Sequence, residues 1–141
     1  MRFDLRSALL YALLCILVLA AAVPAFAQSA PASAAPALKR TEVYKGPVAA
    51  ADHEAVLMKI ELAAGGRAPR HTHPGDEVSY VTDGEIEVTV EGQAPVRLKA
   101  GQGFSIPAGK IHEARNTGKL PVHLIGVYIV EKGKPIATPV K

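Results

Sequence analysis

Three histidines and one glutamate are the residues in this chain whose types and spacing point to chemistry. His71 and His73 stand at i and i+2, and Glu77 follows His73 by four positions. On an extended strand, side chains two apart project to one face, so both imidazoles can reach a single point. Pro74, Gly75 and Asp76 predict a turn, after which Glu77 opens the next strand and can carry a carboxylate to the same place. His112 lies far along the chain and opens another strand after Pro107, Ala108 and Gly109. Closure of a barrel would set it opposite the histidine pair. Three imidazoles and a carboxylate suit one divalent transition metal, whether manganese, iron, nickel, copper, cobalt or zinc. On such an ion, positions would stay open for water, dioxygen or an organic oxygen donor.

These four residues need a scaffold of short strands, and the sequence supplies one. Residues 53–62, HEAVLMKIEL, are rich in apolar and β-branched types and are stopped by Gly65 and Gly66. Residues 77–83 and 85–91 flank Asp83 and Gly84, a dipeptide that predicts a hairpin. In the second segment Ile86, Val88 and Val90 alternate with Glu85, Glu87 and Thr89, the period of a strand buried on one face. Residues 96–99, 104–106, 111–116 and 122–130 complete the set, with Gly and Pro between them. Gly65, Gly84, Gly101 and Gly109 fall at strand ends, where tight turns require positive φ. Pro107 stops a strand just before the turn that feeds His112. Many short strands with turn signals between them indicate an all-β sandwich or small barrel. There is no internal repeat, so one barrel is expected over residues 41–131. Residues 132–141 read as an extended C-terminal tail, lying over the surface or on a partner subunit.

The first 27 of the 141 residues read as a secretory signal peptide. Arg2 and Arg6 give a positive start, and an apolar run extends from Ala8 to Val23. Pro24 follows, and Ala25 and Ala27 supply the small residues of a cleavage site after Ala27. The run falls short of the roughly 20 residues that span a bilayer, so no stable membrane span is expected after cleavage. Residues 28–40 read as an Ala/Pro-rich linker. Cys15 is the one cysteine and lies in the leader, so the exported chain has no disulfide and no thiolate ligand. The formal net charge is +3 with both signs interspersed and no Trp. That distribution gives no basic face for nucleic acid. The expected location is the periplasm or the exterior.

The same residues resemble the two motifs of the cupin superfamily. The first is Gly, five residues, His-x-His, three or four residues, Glu, six residues, Gly, met by Gly65, His71, His73, Glu77 and Gly84. The second is Gly, five residues, Pro-x-Gly, two residues, His, three residues, Asn, met by Gly101, Pro107, Gly109, His112 and Asn116. The segment between them, residues 85–100, is short, as in small single-domain bacterial members. The resemblance implies a double-stranded β-helix, or jelly-roll, barrel with a metal at its centre, often in a homodimer.

Other polar residues invite plainer readings. His53 and His123 have no partner in the pattern and read as strand-face or core histidines; His123 alternates with Ile125 and Val127. Tyr80 and Phe104 read as packing residues, with an aromatic near the mouth able to touch an organic substrate. Glu113 and Arg115 flank His112 and should point away from it on an alternating strand. Asn116 should close a turn through backbone hydrogen bonds. Arg67 and Arg70 read as a solvated strand end, with a role in greeting an anionic substrate as the sharper option.

The donor set resembles that of quercetinase-like cupins, which implies a dioxygenase-like enzyme acting on a small phenolic or enediol substrate. The competing expectation is a periplasmic module that binds a metal or small ligand without turnover. Isomerase or decarboxylase chemistry would need a general acid or base that the sequence does not place. Fold alone does not choose among them.

Overall fold

The computed structural model describes residues 37–141, and within them every regular element is a β-strand. The expected leader and the linker as far as residue 36 lie outside the described residues. The strands are β1 (Leu38–Pro47), β2 (His53–Leu62), β3 (Arg67–Thr72), β4 (Gly75–Asp83) and β5 (Glu85–Val90). They continue with β6 (Val96–Lys99), β7 (Gly103–Ile106), β8 (His112–Arg115), β9 (Val122–Glu131) and β10 (Thr138–Pro139). They form two antiparallel sheets of five strands, ordered β1-β2-β9-β4-β7 and β10-β3-β8-β5-β6. From β2 onward the chain changes sheet at nearly every connection, which is the winding of a jelly roll.

Period-two alternation explains which face each strand buries. Along β9, Val122, Leu124, Gly126, Tyr128 and Val130 are buried, while His123 and Glu131 are exposed. Val56, Ile60 and Leu62 of β2 and Val81 of β4 join them in a core shared with Ile86, Val88 and Leu98 of the second sheet. Each such side chain contributes roughly 1.5–3 kcal/mol when fully buried.

Several expectations change at the connections. Asp83 and Gly84 do not close a hairpin, because β4 and β5 belong to different sheets. Gly84 does have the left-handed φ of 83° that the dipeptide advertises. The turn conformation was thus local information, whereas the partner of each strand was set by the two faces that had to be buried. Residues 38–40, assigned to the linker by composition, are strand: Leu38 pairs with Leu62 and Arg40 with Ile60. The break before Glu77 is shorter than the predicted turn, since β4 already includes Gly75 and Asp76. A Cβ on Gly75 would lie 1.9 Å from the Ile129 carbonyl oxygen, so the close approach of β9 requires glycine there. The C-terminal tail stays on its own barrel, where β10 pairs with β3. Among the described residues no helix is long and apolar enough to cross a membrane.

Candidate metal centre

The histidines come from the second sheet and the carboxylate from the first. His71 on β3 is directly paired with His112 on β8. That pairing depends on a bulge, because Ala68 pairs with Ala114 and the register then shifts before His71. The extra residue reverses the alternation, so Ala68 and His71 both point inward although they are three apart. His73, two residues past His71, is buried on the same side. On β4 the alternation turns Gly75, Glu77, Ser79 and Val81 inward. Glu77 sits opposite Tyr128 of β9.

The four sequence-predicted side chains converge. The ring centroids of His71 and His73 are 4.7 Å apart, those of His71 and His112 4.2 Å, and those of His73 and His112 4.9 Å. One nitrogen from each ring lies within 4.8 Å of the others. Glu77 Oε2 is 2.9 Å from His73 Nε2 and 3.3 Å from His112 Nε2. All four side chains are buried.

The outer hydrogen bonds fix how each ring is turned. His71 Nδ1 donates to the Pro69 carbonyl at 2.6 Å, and His112 Nδ1 to the Lys110 carbonyl at 3.0 Å. His73 Nδ1 donates to the carbonyl of Ile136, in the C-terminal segment. Each Nδ1 must therefore carry the proton, because a carbonyl oxygen only accepts. In the neutral rings each Nε2 is left with a lone pair facing the centre, the tautomer that metal-ligating histidines adopt. His73 Nε2 is buried and forms no hydrogen bond of proper geometry despite the nearby carboxylate. A lone pair pointing at a carboxylate oxygen needs a cation between them. The residues present thus fit a metal ion.

Electrostatics at the centre agree. Burial alone would raise the Glu77 carboxyl, but the His112 and His73 rings beside it and the hydrogen bond from Ser79 outweigh it and hold the group well below the usual carboxylate range. Ser79 Oγ donates to Glu77 Oε1 at 2.6 Å, which leaves Oε2 to face the rings. Burial lowers His71 to about 4, so this ring is neutral at physiological pH.

The remaining candidates fall outside the centre. His123 is exposed on the outer face of β9, and Tyr80 is 49% exposed on the outer face of β4 rather than packed in the core. Phe104 does line the inner cavity. Glu113 and Arg115 line an outer surface groove with Arg67, away from the histidines. Arg70 pairs at the surface with Glu91 at 2.6 Å. Asn116 is fully buried, and its amide donates to the carbonyls of Leu62, Ala63 and Leu120. Sequence reasoning passed over Ser79, Tyr128 and Arg40. The first two were legible as inward positions of alternating strands; Arg40 carried no signal, because its strand resembled linker.

The Cupin domain family model matches residues 58–128, a stretch that includes all four residues. Over 77 residues the chain is 38% identical to germin-like protein subfamily 2 member 2 of Arabidopsis thaliana, covering 51% of this chain and 35% of that one. The chain spans about a third of the length of the curated relatives it matches. Among solved structures, oxalate oxidase in complex with the substrate analogue glycolate superposes with a TM-score of 0.61 at 24% identity, over 77% of this chain and 57% of that one. The Cnp3 cupin domain of Schizosaccharomyces pombe does so with a TM-score of 0.58 at 24% identity, over 69% and 67%. At these identities the structural likeness speaks for the fold.

Proposed function

Since this chain belongs to the Cupin domain family, we propose that His71, His73, Glu77 and His112 hold one divalent transition metal. Manganese, iron, nickel, copper, cobalt and zinc all suit the donor set. The observation that carries the reading is the set of Nδ1 bonds, which leaves three Nε2 atoms and one carboxylate oxygen turned inward. When bound, such an ion supplies Lewis-acid polarisation or oxygen activation.

The chain's own residues hold the rings in one tautomer, keep Glu77 anionic through Ser79, and place Ile60, Phe104 and Leu124 as apolar lining beside the centre. We read the protein as a dioxygenase-like oxidoreductase acting on a small substrate with adjacent oxygen donors. The free space beside the histidines is about 30 Å³. A cavity that takes up benzene has roughly 150 Å³. The space therefore holds no phenolic ring wholly inside, and beside the histidines it has room only for the oxygen end of a small donor. The same narrowness supports a second reading, a module that captures a metal or small ligand without turnover. Export through residues 1–27 to the periplasm or exterior, and assembly as a homodimer, belong to this proposal.

Elemental analysis of the purified chain tests the metal, with one divalent ion per chain expected. His73→Ala and His112→Ala should each lower its content at least about tenfold while the barrel still melts cooperatively. Unchanged content in both variants would overturn the reading. Oxygen uptake on enediols with the loaded protein then separates turnover from capture.

A further inference from the structure

The two sheets part at one side of the barrel. β6 and β7 are the end strands of their sheets, joined through residues 100–102 and not hydrogen-bonded to one another. A seam is left between them. The edge charges of β6 stand on its outer face, where Arg97 pairs with Glu87 at 3.1 Å and Lys99 with Glu85 at 3.8 Å. Such charges blunt a sheet edge against pairing, but they do not fill the space behind it. The inner side of the seam is a cleft of about 220 Å³ with no charged side chain in its lining. Val96 belongs to the inward row, because its cross-strand partner is the buried Val88. Yet Val96 is 53% exposed, at the mouth of the cleft.

Strand register carries this cleft to the histidines. Val90, on one wall, is the cross-strand partner of His112. Ile106, on the other wall, is the cross-strand partner of Glu77. Each wall therefore ends beside a residue of the centre. Val88 and Phe104 line both the cleft and the cavity of the histidines, so the two spaces adjoin. Phe104 is half-buried on the end strand β7 and stands opposite Ser79, whose hydroxyl holds Glu77. It is the side chain between the two compartments. The inner one has about 30 Å³ and the outer about 220 Å³. A ring the size of benzene, which needs roughly 150 Å³, fits only the outer one.

We propose that the seam between β6 and β7 is a ligand subsite, and that Phe104 sets what it accepts. The subsite takes a compact, uncharged hydrocarbon body, a single ring or a branched chain of like size, while the ligand's oxygen end passes Phe104 to reach the centre. The absence of charge in the lining selects against a second ionic group on that body. The inference rests on the reading of His71, His73, Glu77 and His112 as a metal centre, and it names the ligand class for it.

Para-fluorophenol and fluoroethanol, titrated into the zinc-loaded full chain and followed by fluorine and proton NMR, test the subsite. The first carries a ring on its oxygen and the second does not. Para-fluorophenol should bind at least about tenfold more tightly, with its ring in contact with the methyl groups of Val90 and Val96. Val96→Glu should weaken it about tenfold, the loss expected when a valine contact gives way to a charge. Zinc content and melting temperature should hold in that variant, because Val96 is half-exposed and carries no ligand atom. Phe104→Leu should narrow the parent chain's preference for para-fluorophenol over the bulkier naphthol, whereas a merely structural Phe104 would weaken both alike. Equal binding of fluoroethanol, or an unchanged affinity for para-fluorophenol in Val96→Glu, would overturn the subsite. Failure of the metal reading looks different: the parent chain itself would hold no zinc. In that case the Val96 dependence of ring binding by the metal-free chain remains the criterion, since the cleft is walled by side chains that hold no metal.

Discussion

Asn116 shows how far one side chain can tie distant backbone together. It is fully buried, with its amide on three carbonyls and its Oδ1 accepting from the Gly118 amide at 2.9 Å. Asn116→Ala removes the donor shared by these three carbonyls, at least one of them in a buried bond. The expected cost is about 2–4 kcal/mol, read from chemical denaturation. Metal content should survive, because Asn116 stands outside the centre. Both of its roles, closing a turn and carrying no ligand atom, follow from a short amide that can donate and accept at once.

At the level of elements, the centre depends on two features that look peripheral. The bulge in β3 turns His71 inward. The C-terminal segment is a strap: β10 pairs with β3, the Val140 amide donates to the Arg70 carbonyl, and the Ile136 carbonyl fixes the His73 ring. Truncation after Gly133 removes that carbonyl without removing any ligand. Outer-shell partners of metal-bound histidines are worth about ten- to a hundredfold in affinity. The truncated chain should therefore keep a cooperative melt while its zinc affinity, measured against a competing chelator, falls by that factor. An unchanged affinity would reduce the strap to a surface decoration.

For the molecule as a whole, the outer face of the first sheet is uneven in polarity. Tyr44, Leu57, Val127 and Val78 are aligned across four strands, and Tyr80 and Ile125 form a pair in an adjoining row. Tyr44 and Val78 are each 54% exposed. An apolar patch running across a sheet face marks an interaction surface. We expect a second copy of the chain to cover it. Light scattering of the parent chain should give twice the chain mass, and Val78→Lys combined with Tyr80→Lys should halve it. A monomeric parent chain would refute this assignment of the face.

The sequence by itself determined the candidate ligand residues, the positive-φ glycines and most strands, because each rests on local rules. Histidines two apart share a strand face, glycines at the turns accept positive φ, and half-buried strands alternate. It also carried the resemblance that placed His71, His73, Glu77 and His112 together. Only the tertiary structure decided which strands pair. Asp83 and Gly84 specify a turn, not whether the chain returns beside itself or crosses to the other sheet. Residues 38–40 read as linker because an edge strand needs little apolar residue of its own when Leu62 and Ile60 face it. The Ile136 carbonyl on His73 and the Arg40 side chain over the cavity left no sequence signal. Both contacts join residues far apart in the chain, and such contacts arise only when burial of two sheet faces brings the strands together.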